Sequence, residues 1–336
     1  MRVRKRKYGP GVPPPQERKP FRDVSRFLKE TFGAKSYKVC VDGGFTCPNR
    51  DGTCGIGGCI FCGERGSGEF ITEIGIRNQI LTAMEKARVK HRAEKFLVYF
   101  QNFTNTYAPV DVLRAKYDSA LADGDERIVG LAVGTRADCI SEEIADLLAE
   151  YAEKYYVQVE IGLQTSDDET AKRINRGYPA SRFTEAVQLL RKRRLNVVAH
   201  ILPGLPGETK EHLIRTVDFL NQHDIQGLKI HSLYVLAGTR LAELYRAGEF
   251  EPITMAEYID WAVYVLRHVS PQLVIHRLSG DCAREKLVAP EWILKKKEIH
   301  DQIIGTMEAN GWKQGDLHPG TTCGDSAKVN TEGTDR

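Results

Sequence analysis

Asp42-Gly-Gly-Phe-Thr-Cys-Pro-Asn-Arg-Asp-Gly-Thr-Cys-Gly-Ile-Gly-Gly-Cys-Ile-Phe-Cys62 follows an apolar run, Tyr37 to Val41. A segment so rich in Gly and Cys has little to bury and many backbone groups that need partners, so it is a loop and not core. Cys59 and Cys62 share a tight Cys-x-x-Cys turn, and Cys47 reaches in from farther upstream, with eleven residues between it and Cys59. Thiolates gathered on one flexible loop are the donors a metal centre requires. Cys54-x4-Cys59-x2-Cys62 is also a workable ligand set, so spacing alone leaves the first ligand open between Cys47 and Cys54.

Structural zinc favours four thiolates in two pairs, and no second Cys-x-x-Cys exists in the chain. Three thiolates leave one iron of a [4Fe–4S] cluster free to hold a small molecule. The words Gly43-Gly-Phe-Thr-Cys-Pro-Asn-Arg-Asp-Gly-Thr53 and Gly57-Gly-Cys-Ile-Phe-Cys62 resemble the YtqA/YhcC family of radical S-adenosylmethionine enzymes. That family is related to the Elongator catalytic-subunit and oxygen-independent coproporphyrinogen oxidase branches. The resemblance spans roughly residues 25–300 and implies Cys47, Cys59 and Cys62 as cluster ligands, with S-adenosylmethionine as the second cofactor.

The chain has 336 residues, 41% of them hydrophobic, enough for one large α/β domain with extensions or two ordinary ones. A net charge of +3 restricts any nucleic-acid contact to local patches. No apolar run is long enough to span a membrane, and the basic N-terminus lacks a signal-peptide apolar region. Eight Cys in this length do not form a secreted disulfide scaffold, and an oxygen-labile cluster suits a reducing cytoplasm.

Residues 1–22, basic and then Pro-rich, are expected to be a disordered tail. Apolar, β-branched runs at 37–42, 96–100, 128–133, 157–163, 196–202 and 228–236 alternate with helical patterns. Ile144, Leu147, Leu148 and Tyr151 follow a cap at Ser141, and Phe183, Ala186, Val187 and Leu190 follow one at Ser181. Ser166 to Glu169 reads as a capping box. Six such units imply a parallel sheet, too few for a closed eight-fold barrel. The expected fold is a partial (β/α)6 TIM-like barrel over 23–236, as the resemblance also implies, with chemistry at the C-terminal strand ends. A helical and strand extension over 237–312, including a strand at 272–280 and a helix at 292–311, packs on it, and 313–336 is a polar tail.

The strand ends supply the polar candidates. Strand two leaves through amides and hydroxyls, Gln101 and Thr104 among them, where the superfamily carries a Gly-Gly-Glu-like word for the amino group of the cofactor's methionine; the departure weakens that carry-over. Thr135 and Arg136 end strand three where relatives contact the cofactor, although Arg136 also suits a rim ion pair. In strand four, alternation puts Glu160, Gly162 and Gln164 on one face, and an inward Glu needs a cation or polar ligand. The word Gly162-Leu-Gln-Thr165, with Asn175-Arg-Gly177, resembles the coproporphyrinogen-oxidase-like pattern, which implies that Gln164 and Arg176 bind S-adenosylmethionine, Arg176 through its carboxylate. Phe61 is placed near the adenine. Lys229 and His231 on strand six, and an Arg277 with Asp281 pair, are candidate substrate ligands or proton donors.

The implied activity is one-electron cleavage of S-adenosylmethionine to a 5′-deoxyadenosyl radical, with an electron donor such as flavodoxin or ferredoxin. The form Arg277-Leu-Ser-Gly-Asp281 leans toward the YtqA branch, implicated in maturing the C5 side chain of tRNA wobble 2-thiouridine. The expected substrate is therefore tRNA, carboxymethylaminomethyl being trimmed to aminomethyl. Basic segments at 2–7, 191–194 and 295–297 fit a phosphate surface as well as solvated faces. Radical chemistry on a small metabolite or cofactor precursor, and a non-catalytic iron–sulfur or zinc RNA-binding protein, are the competing readings.

Overall fold

The computed structural model describes residues 19–66, 75–121 and 124–320. After α1 (Val24–Phe32) the chain alternates β1 (Ser36–Val41), α2 (Ile76–His91), β2 (Lys95–Phe100), α3 (Val110–Leu121), β3 (Ile128–Thr135), α4 (Glu142–Ala152) and β4 (Tyr156–Gln164). It continues through α5 (Asp168–Arg173), α6 (Ala180–Lys192), β5 (Asn196–Ile201), α7 (Lys210–Asn221) and β6 (Gly227–Ile230). The strands are rich in apolar, β-branched residues because helices cover the sheet's outer face, while the inner face lines a cavity. The chain passes from one parallel strand to the next through helices, which are the only short crossovers that bury an apolar stripe on that face.

The sheet has seven parallel strands, in the order β1-β2-β3-β4-β5-β6-β8, curled into a half-barrel. The seventh, β8 (Val274–Arg277), comes from the stretch expected to be a separate extension, pairs in parallel with β6 and places Arg277 beside Lys229. The expected sixth strand is shorter than 228–236. Residues 231–234 turn away, and β7 (Val235–Leu236) pairs antiparallel with β9 (Leu287–Ala289) in a small second sheet. The remaining helices are α8 (Arg240–Arg246), α9 (Met255–His268) and α10 (Lys296–Ala309).

Two expected tails carry structure at their inner ends. Phe21 is buried in the core, Ile275 N donates to Arg22 O at 2.8 Å, and Gln314 is bonded to Pro20, Arg22, Ser270 and Leu273. The two chain ends thus close the outer edge of β8, which would otherwise expose unpaired amides. The remainder of both tails, 1–18 and 321–336, lies outside the described residues, as does the basic segment 2–7.

Ser141 caps α4 as expected, accepting from Ile144 N at 3.3 Å. The other two caps differ. Asp167, not Ser166, caps α5, and α6 starts at Ala180, whose N–H donates to Asp168 Oδ1 at 2.7 Å. A carboxylate one residue further on competes better than Ser for an exposed helix N–H.

Candidate active site

The cysteine loop leaves the C-terminal end of β1 and is held by the loop that follows α5. Cys62 N donates to Cys59 O at 2.9 Å, closing the Cys-x-x-Cys turn, and Ile60 N donates to Ile174 O at 3.1 Å. Asn49 Nδ2 donates to Asn175 O at 2.5 Å, and Asn175 Nδ2 to Gly58 O at 2.8 Å. The Arg50 guanidinium ties the loop to itself through the Cys62 and Gly63 carbonyls, at 3.0 and 2.7 Å. Gly177, at φ 85°, is required here, since a Cβ would lie 3.2 Å from Asn49 Oδ1.

Within this frame Cys47, Cys59 and Cys62 act on one another. Burial pushes the Cys59 thiol up to about 12, and its neighbours Cys62 and Cys47 add to the push. Cys54 is exposed and is not among the chief charges acting on Cys59. Among the described residues no three Cys, His, Asp or Glu side chains form a ready metal cage. Three mutually repelling thiolates on one loop need a cationic partner to ionise, and all-sulfur donors suit an iron–sulfur centre.

Phe61 and Cys62 open onto a cavity of about 1110 Å³ that Gln101, Gln164, Lys229, His231, Arg277 and Asp281 also line. Gln164 adopts φ 67° at the end of β4, where the register with β5 shifts; that irregularity re-aims its side chain into the cavity. The other candidates lie behind the wall. Thr104 is buried, its N–H donating to Thr46 O at 3.2 Å. Thr135 pairs with the Thr106 hydroxyl at 2.5 Å. Arg136 forms a two-pronged ion pair with Asp138 at 2.9 and 2.7 Å, so the rim ion pair is what the structure shows.

Arg176 is 1% exposed, and its guanidinium donates to the Leu163, Thr165 and Tyr178 carbonyls. It braces the loop that holds the cysteines, and its donors are taken up by these carbonyls and, at 3.4 Å, by Asp168 Oδ1. The expected Arg277 with Asp281 pair does not form. Asp281 binds Lys296 instead, because α10 brings that ammonium to the cavity rim.

Glu160 is the hub of the inner wall. Its Oε1 accepts from Lys38 Nζ at 2.7 Å and Gln158 Nε2 at 2.6 Å, and its Oε2 meets His200 Nε2 at 2.9 Å and Lys229 Nζ. Burial alone would raise its pKa, but Lys229 and Lys38 hold it well below the usual carboxylate range. An inward Glu on this strand was expected to need a cation or a polar ligand, and the protein itself provides two ammoniums. Burial pulls Lys229 down to about 8 against the opposing pull of Glu160, and its Nζ donates to Tyr99 OH at 3.2 Å. Lys38, Cys40, Tyr99 and His276 were missed as site residues. Lys38 and Cys40 alternate with Val39 and Val41 along β1, and a Lys inside an apolar strand was the available signal.

The superfamily model for radical SAM proteins matches residues 47–220, and that of the radical SAM C-terminal domain matches 225–309. The chain belongs to the radical SAM superfamily. Within it, YtqA of Bacillus subtilis is 38% identical over 88% of this chain and 92% of its own, which places this radical SAM enzyme in the YtqA/YhcC family. The tRNA uridine(34) acetyltransferase of Methanocaldococcus infernus is 28% identical over 57% of this chain and 32% of that protein. The structure of archaeal Methanocaldococcus infernus Elp3 with an N-terminal deletion superposes with a TM-score of 0.63 at 19% identity, covering 83% of this chain and 64% of that one; this likeness concerns the fold. Radical SAM enzymes use a [4Fe–4S] cluster and S-adenosylmethionine. The three thiols fit the cluster, and the cavity wall at Phe61, Gln101 and Gln164 fits the cofactor beside it.

Proposed function

We propose that this radical SAM enzyme modifies tRNA, acting on the C5 side chain of the wobble 2-thiouridine and trimming carboxymethylaminomethyl to aminomethyl. The observation that carries the reading is the mouth of the cavity. Among its lining residues Tyr37, 41% exposed near the start of β1, stacks on the half-buried His91 at the end of α2 with ring centroids 4.6 Å apart, and Lys86 and Lys90 of α2 line the same cavity. Partly exposed stacked rings flanked by ammoniums suit an unstacked base and its phosphates. The relationship to a tRNA uridine(34) acetyltransferase supports the same substrate class.

The other basic segments carry less of this reading than expected. Arg191 pairs with Asp224, Arg193 with Glu142 and Asp146, and Lys295, Lys296 and Lys297 with Glu298, Asp281 and Asp301. Acids on neighbouring helices and loops pair with them locally, which the charge runs alone did not reveal. Among the described residues no helix is long and apolar enough to cross a membrane.

When bound, the cluster and S-adenosylmethionine supply one-electron cleavage to a 5′-deoxyadenosyl radical. This chain's residues orient and shield the reactants. Phe61 and Gln164 would flank the cofactor, and Lys229, backed by Tyr99 and Glu160, holds a proton at Nζ that burial makes easier to give up. The test is anaerobic: the reconstituted, dithionite-reduced enzyme is given S-adenosylmethionine, and 5′-deoxyadenosine is measured with and without tRNA bearing the carboxymethylaminomethyl group. Stimulated cleavage with conversion of the wobble nucleoside is expected. Cleavage indifferent to tRNA would return the cavity to a small substrate, and a loaded cluster without cleavage would favour a binding protein.

A further inference from the structure

The inner wall of the cavity gathers more cations than Glu160 can serve. The two oxygens of Glu160 already meet Lys38, Gln158, His200 and Lys229. A carboxylate offers about four lone-pair sites, so it has no acceptor left. Arg277 stands next to Lys229 in the register of β8 on β6, and its charge acts on Tyr37, Cys40, Tyr99 and His231. Among the described residues it makes no ion pair and no hydrogen bond. Asp281, the acid nearest in sequence, is engaged by Lys296. His231, held by its N–H to Ile201 O at 3.0 Å, lines the same wall and offers a ring nitrogen that no described residue bonds.

Two cations, Lys38 and Lys229, therefore share one carboxylate, and a third, Arg277, stands beside Lys229 on the wall of the cavity that Cys62 also lines. A partly buried guanidinium without an acceptor is costly, and its planar fork matches a two-oxygen acid. We propose that Arg277, with His231 beside it, binds a carboxylate carried by the substrate. The subsite fixes the acidic end of the substrate, so that a carbon on its arm faces the cofactor side of the cavity. The inference rests on the reading that this cavity receives substrate, and not on the substrate being tRNA.

The probe is radiolabelled N-methylglycine in equilibrium dialysis against the holoenzyme, with methylamine and inorganic phosphate as competitors. Saturable binding that methylamine does not displace is expected. Arg277→Gln should weaken it on the order of tenfold or more, the loss expected for a charged hydrogen bond. Arg277→Lys should recover part of the affinity, which separates lost charge from lost fold. Absence of saturable binding to the wild type, or equal binding in Arg277→Gln, would overturn the proposal. Phosphate binding more tightly than N-methylglycine would reassign the subsite to a phosphate. Displacement by one equivalent of S-adenosylmethionine would reassign it to the cofactor's own carboxylate. Binding through Arg277 together with 5′-deoxyadenosine formation indifferent to tRNA would remove the tRNA reading and leave this subsite standing.

Discussion

Cys47, Cys59 and Cys62 come from sixteen consecutive residues, whereas Lys38, Tyr99, Glu160, His200 and Lys229 come from β1, β2, β4, β5 and β6. The cysteine loop is a local object. Its spacing is written in one word, and distant parts of the chain, Asn175 and Arg176, serve to hold that word in shape. The inner wall has no word at all. It exists because parallel strands stack residues that lie far apart in the chain, as in Lys38 and Lys229, 191 positions apart, which share Glu160. A metal loop tolerates a changing scaffold if its spacing survives, while a buried ion network depends on every strand being in register.

The largest effect should come from the loop. Cys47→Ala is expected to abolish the four-iron cluster and all 5′-deoxyadenosine formation, while Cys54→Ala retains both, measured by iron content and by the cleavage assay. The reverse pattern would move the first ligand to Cys54 and make the metal loop a shorter object.

Breaking the wall should cost stability before chemistry. Glu160→Gln leaves Lys38 and Lys229 without their shared carboxylate, and removing one partner of a buried pair costs about 3–5 kcal/mol. Urea unfolding of the holoenzyme measures it. A loss below about 1 kcal/mol, the range of an exposed pair, would mean that both ammoniums reach water.

The smallest expected effect is a pH slope. Burial, with Lys229 beside it, lowers His200 to about 4 from 6.5, although Glu160 pulls the other way. Between those values the unfolded chain takes up a proton that the fold refuses, so stability falls as pH drops from 6.5 to 4. The depressed His231 and His276 act in the same direction. Unfolding measured across that range should steepen toward acid, and His200→Asn should flatten part of the slope. A flat wild-type profile would show the imidazoles to be solvated.

Much of this site was legible before any fold was known. Cys-x-x-Cys, the strand and helix periods and the inward parity of Glu160, Gln164 and Lys229 are local properties of the chain, readable at spacings of two to four residues. The misreadings share one cause. Arg176 was expected to meet the cofactor's carboxylate; in the structure it meets three carbonyls of its own fold and the Asp168 carboxylate. Arg277 and Asp281 looked like a pair, yet α10 delivered Lys296 to Asp281 first. The basic runs looked like a surface for phosphates until neighbouring helices supplied acids.

The sequence by itself determined the alternation of strands and helices and which face of each strand is polar, because period is a property of neighbouring residues, while the cofactors followed from the resemblance of its cysteine words to a known family. Only the tertiary structure decided which charges find partners. A charge is satisfied by whatever lies within a few ångströms, and that distance is set by strand register and helix packing rather than by position along the chain.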